Sequence, residues 1–230
     1  MEQTVDTSVP VSSTDMISRS DFIHKTYNNL LLAIIAFVAV EVYLFQSGLA
    51  LKIGGTLSQN WLITMAAFMA ISWIASRFAA GGGSIGKQYL GLFLFVVAEA
   101  FIFVPLLLVA VYYSDPSVLT TAVWATIGGF AVLTAIVYTT KVNFSFMRPF
   151  LMIAGIAALI AIVGSILFSV TLGFYFSLAM VVFACAAVLH DTSKVLHDYE
   201  DDQYVAAALQ LFASVAMLFY YILMILVNRG

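Results

Sequence analysis

Thirteen positions, His190 to Asp202, hold five of the chain's twelve acids and two of its three histidines. They join two long apolar runs, and Asp191 falls inside the end of the first. A charge carried into hydrocarbon costs about 3 kcal/mol or more, so an ionisable residue in such a run is a candidate functional group. Glu41 and Glu99 meet the same description. Glu41 is eleven residues from Leu30 and Glu99 eleven from Gln88, which on a helix is about 16 Å. Lying at similar depth on helices that run the same way, the two carboxylates can share a proton or bind a cation if the helices are neighbours. Otherwise each is protonated and hydrogen-bonded to an adjoining helix.

Asp191 lies at a depth comparable to Arg77, at the end of the second apolar run, so an ion pair between them is geometrically allowed and would act as a gate. Lys194, three residues on, offers a local partner instead, and plain exposure at a helix end is the simplest alternative. His190 and His197 are seven residues apart, two turns of one helix face, and titrate near neutral pH. They are candidates for pH sensing, against a bland reading as solvated loop-edge residues. Asp198, Glu200, Asp201 and Asp202 lack the spacing and glycine of an EF-hand and read as a solvated acidic loop. No metal site and no cofactor is expected.

These groups are carried by an unusual chain. Of its 230 residues 63% are hydrophobic and 9% charged, against roughly a quarter charged in soluble domains. The class is all-α: a polytopic membrane protein whose immediate partner is the lipid bilayer. A net charge of -3 with singly scattered basic residues gives no footprint for nucleic acid. The lone Cys185 excludes an internal disulfide. A spanning helix needs about 20 apolar residues, and seven runs qualify: Tyr27 to Phe45, Leu62 to Ala79, Tyr89 to Tyr112, Val118 to Tyr138, Phe150 to Val170, Leu172 to Leu196 and Tyr204 to Val227. Residues 1–25 are expected to form a disordered cytoplasmic tail, and residues 26–230 a seven-helix membrane domain. The separators are Gln46-Ser-Gly, Gly81 to Gly86, Ser114-Asp-Pro116, Lys141 to Pro149, and a tight turn at Thr171 and Gly173.

With the N-terminus in the cytoplasm, the inner segments hold Arg19, Lys25, Arg77, Lys87, Lys141, Arg148 and Lys194, and the outer ones only Lys52 and Arg229. The positive-inside rule therefore puts the N-terminus and the acidic loop inside and the C-terminus outside. Small residues at Ala66-Ala67, Gly128-Gly129, Gly155 with Ala157-Ala158, and Ala206 to Ala208 are read as helix-packing positions. Enzyme motifs are not convincing. Gly81 to Lys87 resembles a phosphate cradle only until Gln88, where a hydroxyl residue should stand. Gly82-Gly-Ser84-Ile-Gly86 has the spelling of a nucleophile elbow but no strand leading into it. The chain is not read as an enzyme.

Asp191-Thr-Ser-Lys-Val-Leu-His197, following Ala186-Ala-Val-Leu189 and followed by Tyr204-Val-Ala-Ala-Ala-Leu-Gln-Leu-Phe212, resembles the Bax inhibitor-1 (TMBIM) family, especially its bacterial YccA-like branch. Tyr27-Asn-Asn-Leu-Leu and Ala98-Glu-Ala-Phe-Ile-Phe-Val-Pro105 extend the resemblance along the chain. It implies seven helices, with two triple-helix layers around a central last helix. It also implies two activities: a pH-sensitive calcium (Ca2+) leak, and modulation of partners that include a membrane-anchored AAA protease. The leak is associated with paired aspartates on the sixth and seventh helices. Asp191 matches the first, while Ser214 stands in place of the second, and no acid lies between Gln203 and Gly230. YccA-like members resemble the chain in lacking the full pair. The expectation is an inner-membrane regulator of a partner such as an AAA protease, with a calcium leak as the alternative and a proton-coupled carrier using Glu41 and Glu99 as a third reading.

Overall fold

The structure, a computed structural model, describes residues 11–80 and 84–229, with side chains from Ser18 onward. Eight α-helices are formed among the described residues: α1 (Val11–Gln46), α2 (Leu49–Gln59), α3 (Trp61–Ala79), α4 (Ile85–Tyr112), α5 (Ser117–Thr140), α6 (Arg148–Leu167), α7 (Phe174–His197) and α8 (Tyr204–Val227). A single 3-10 turn, Phe144–Met147, leads into α6. Seven of these helices are long and apolar enough to cross a membrane. The chain is thus an all-α integral membrane protein with seven spans, as the apolar runs require. A bilayer admits helices because each satisfies its own backbone polar groups.

Three local features differ from the sequence expectation. The first is α2, which lies within the connection between the first two apolar runs. It is too short to span, follows Gly48 with φ 71, and buries Ala50 against Leu44 of α1 and Val104 of α4. The second is the start of α1 at Val11, inside the stretch expected to be a disordered tail through residue 25. Helix persists there because Phe22 and Thr26 are buried at 1% and 0% exposure. Of that tail, residues 1–10 lie outside the described residues, as does the Gly81–Gly83 part of the expected inner loop. The third is the α6–α7 turn, which spans Phe168–Gly173 and places Ser169 at φ 51; it starts earlier than Thr171.

The last helix is central. α8 packs against five other helices, α1, α3, α4, α5 and α7. Phe103 of α4 anchors this contact, with its ring 5.1 Å from Phe37 of α1 and 5.6 and 5.2 Å from Phe219 and Tyr220 of α8. Such edge-on and stacked rings add to the burial of their area. α6 is the opposite case: it touches α7 and the 3-10 turn, and none of its residues is buried. Its Ile153, Ile156 and Ile160 are all exposed, as lipid-facing residues would be.

Of the small residues picked out in the sequence, Ala207 and Ala208 are wholly buried, while Ala66, Ala67 and Gly128 are exposed. A close helix approach lies elsewhere, between α3 and α4. A Cβ at Gly91 would come within 2.5 Å of the Ala75 carbonyl oxygen and 2.9 Å of the Ala79 nitrogen. Because both neighbours are backbone, the helices must part to admit a methyl group. Gly91→Ala is expected to cost about 1–3 kcal/mol, and Gly128→Ala, which meets open space, to leave stability unchanged or raise it slightly. Thermal unfolding in detergent micelles distinguishes the two.

Candidate functional site

Asp191 lies in α7 and is 3% exposed. Its Oδ2 accepts a hydrogen bond from the Ser214 hydroxyl of α8 and a longer one, 3.4 Å, from the Gln210 amide. Gln210 and Ser214 are one helical turn apart on the same face of α8. A buried carboxylate is costly without such donors, so the spacing of α8 supplies what the position of Asp191 on α7 demands.

The residues beside Asp191 face a different element. His190 Nδ1 donates to the Phe144 carbonyl at 3.1 Å, the Phe144 N–H donates to Ser193 Oγ at 2.9 Å, and Ser193 Oγ donates to the Val142 carbonyl at 3.4 Å. His190-Asp-Thr-Ser193 is therefore a junction: its acid holds α8, and its histidine and serine hold the connection into α6. His190 is buried at 8% exposure, so it is not the solvated residue of the bland reading. His197 is exposed and donates to the Ser193 carbonyl at 2.9 Å. The two histidines have separate partners and do not act as a pair.

The N-terminal part of α1 closes this end of the bundle. Arg19 donates to the carbonyls of Val195 and Tyr199 at 2.5 and 2.6 Å and lies 3.7 Å from Asp201. A guanidinium suits the exposed carbonyls at a helix C-terminus, where the dipole is negative. Ser18 Oγ donates to Asp201 at 2.7 Å, and Phe22 packs against the Tyr199 ring at 6.5 Å. Burial pushes the Tyr199 phenol above its ordinary range, and Asp191 and Asp198 add to the effect. The acidic loop is thus tied down in part, since Asp198 also accepts from Ser145 Oγ at 3.3 Å.

Three pairings allowed by the sequence do not form among the described residues. Arg77 lies 4.8 Å over the Trp73 ring, and among the described residues no ion pair links it to Asp191. The guanidinium has found an aromatic face on its own helix, one turn away. Lys194 likewise lies 4.9 Å over Tyr199. Glu41 is 7% exposed, with neither carboxylate oxygen hydrogen-bonded among the described residues. Glu99 opens instead into a cavity of about 1210 Å³, which Asp191 also lines and Glu41 does not. The helix neighbours explain this. Glu41 shares a face of α1 with Phe37 and Leu44, which pack on Phe103 and Val104, whereas Glu99 of α4 and Tyr220 of α8 line one cavity.

The cavity lies among α3, α4, α6, α7 and α8. Arg148 and Lys194 are at one end, Asn228 and Thr171 at the other. Among the described residues, no three histidines, cysteines or acids group as metal ligands.

A family model described as Inhibitor of apoptosis-promoting Bax1 matches residues 19–230. The chain belongs to that family. It is similar to the Bax inhibitor 1 protein of Schizosaccharomyces pombe, with 29% identity over 147 residues, covering 62% of this chain and 53% of the yeast protein. The chain thus spans about half the length of the curated relative it matches. In this Bax inhibitor-family protein, Ser214 was legible beforehand as the position facing Asp191. Gln210 was not, although a second polar residue one turn from Ser214 in an apolar helix is a signal. Arg19 gave none beyond its charge, since its partners are backbone carbonyls distant in sequence.

Ser214→Ala removes the closer donor to a buried carboxylate and is expected to lower stability by about 1–3 kcal/mol, read as a shift in thermal unfolding. Arg19→Ala frees the α7–α8 connection. Chymotrypsin cleavage after Tyr199 is expected to accelerate about tenfold, because cutting follows the population of the opened segment.

Proposed function

We propose that this Bax inhibitor-family protein is a regulator of a membrane-embedded partner, an AAA protease anchored in the same membrane, and that it does not pass ions by itself. The supporting observation is the partner of Asp191. A pH-gated leak built on two facing carboxylates works because like charges at close range force one proton to be shared. Here the acid faces the Ser214 hydroxyl and the Gln210 amide. Neutral donors stabilise the ionised acid and impose no shared proton. Asp191 is then a structural clasp between α7 and α8, and the outward apolar face of α6 is available to a helix of the partner. As a YccA-like member, the protein would lie in a bacterial inner membrane with its N-terminus in the cytoplasm.

A second reading, a cation leak, is favoured by one observation: Glu99 and Asp191 line the same cavity. The two readings differ in calcium flux. Liposomes carrying the purified protein are expected to show no flux above protein-free liposomes from about pH 6 to pH 8, where histidines and perturbed carboxylates titrate. Ser214→Asp, which supplies the second carboxylate, is expected to introduce flux that varies across that interval. In the same membranes, the wild-type chain is expected to change the rate at which a co-reconstituted AAA protease degrades a membrane substrate, and Glu99→Gln to change it equally. Wild-type flux abolished by Asp191→Asn would overturn the regulator reading in favour of the leak.

A further inference from the structure

Glu99 is the acid of this cavity that the rest of the molecule does not answer. It is 7% exposed and has no hydrogen bond among the described residues. Asp191, by contrast, has Ser214 and Gln210 as donors and His190 and Lys194 beside it on its own helix. The level of Glu99 is also remote from the basic end. Tyr220, which lines the cavity with Glu99, is six residues beyond Ser214, or about 9 Å along the helix, and Lys194 lies to the other side of Asp191. The Oγ of Ser72, which also lines the cavity, is buried without a partner.

The walls around Glu99 decide which cation would answer it. Trp61, Phe68, Phe95, Tyr220 and Tyr221 line the same space. A calcium ion takes six to eight oxygen ligands; the cavity's other carboxylate, Asp191, already accepts from Ser214 and Gln210, and Glu99 with its nearby hydroxyls falls short of that number. An organic cation has other needs: a single counter-charge, ring faces for its charged centre and apolar wall for its body. The cavity, about 1210 Å³, exceeds the roughly 300–1,000 Å³ typical of sites for drug-sized ligands. We propose that this cavity is a binding site for lipophilic organic cations, hydrophobic amines or quaternary ammonium and phosphonium compounds, with Glu99 as the counter-ion and the aromatic residues of α3, α4 and α8 as the walls. Nothing in this assignment depends on whether the protein regulates a partner or leaks ions.

Tetraphenylphosphonium and tetraphenylborate test it, being alike in shape and hydrophobicity and opposite in charge. Equilibrium dialysis of the purified full chain in detergent is expected to show saturable binding of tetraphenylphosphonium at one site per chain and none of tetraphenylborate. Glu99→Gln is expected to weaken the phosphonium by about tenfold or more, and Asp191→Asn to weaken it less. Equal binding of the two probes to the wild-type chain would reduce the site to apolar partitioning and overturn the proposal, as would Glu99→Gln protein that elutes as a single folded species and binds the phosphonium like wild type. The comparison on unaltered protein holds even if a variant fails to fold.

Discussion

A carboxylate placed among apolar helices has to be met by donors from another helix, and here the bond between Asp191 and Ser214 is the one around which the others are arranged. It fixes the register of α7 against α8. Once Asp191 is turned to α8, the helical repeat sends His190 and Ser193 the other way, onto the backbone of residues 142–144, where α6 begins. One turn past Asp191, the Val195 carbonyl meets Arg19. Four parts of the chain that are far apart in sequence are thereby held at one end by a few polar contacts, while the aromatic packing around Phe103 holds the middle.

Most of the architecture was legible in the sequence because the signal for a spanning helix is one of length and composition. Seven runs were enough to give seven spans, and their ends were misplaced mainly where a polar segment remains helical, as in α1 before Tyr27. The eleven-residue α2 escaped because nothing in its composition separates a short helix from a connection. The site was less legible. Depth can be counted along a helix, but the direction in which a side chain points depends on rotation about the helix axis, which the sequence leaves open when no face is markedly polar. Glu41 and Glu99 were placed at matching depth, and their helices do pack together, yet they serve different surroundings. Arg77 had a plausible acid at its level and took the ring of Trp73.

The contrast between Asp191 and Glu99 shows how differently two acids can be accommodated by the same cavity. Asp191 is embedded in a net of donors whose removal leaves a buried charge unmet, so its value lies in positioning. Glu99 opens into the cavity with no hydrogen bond among the described residues, so its surroundings leave room for something that enters. The Asp-Thr-Ser stretch draws the eye by its density of polar groups. The more isolated acid, in an otherwise ordinary apolar helix, is the one whose surroundings still ask for a ligand.

The absence of buried residues on α6 separates two kinds of constraint within one chain. α4 is held to particular shapes: Gly91 has no room for a methyl group, and Phe103 must present its ring to three others. α6 has no such obligation over most of its length beyond the fixed point where the 3-10 turn joins α7. Its sequence is answerable to the solubility of its surface in lipid more than to the fit of any one side chain. An outward stretch of that kind can exchange leucine, isoleucine, valine and methionine freely, and so can come to match the surface of a new neighbour without disturbing the fold behind it.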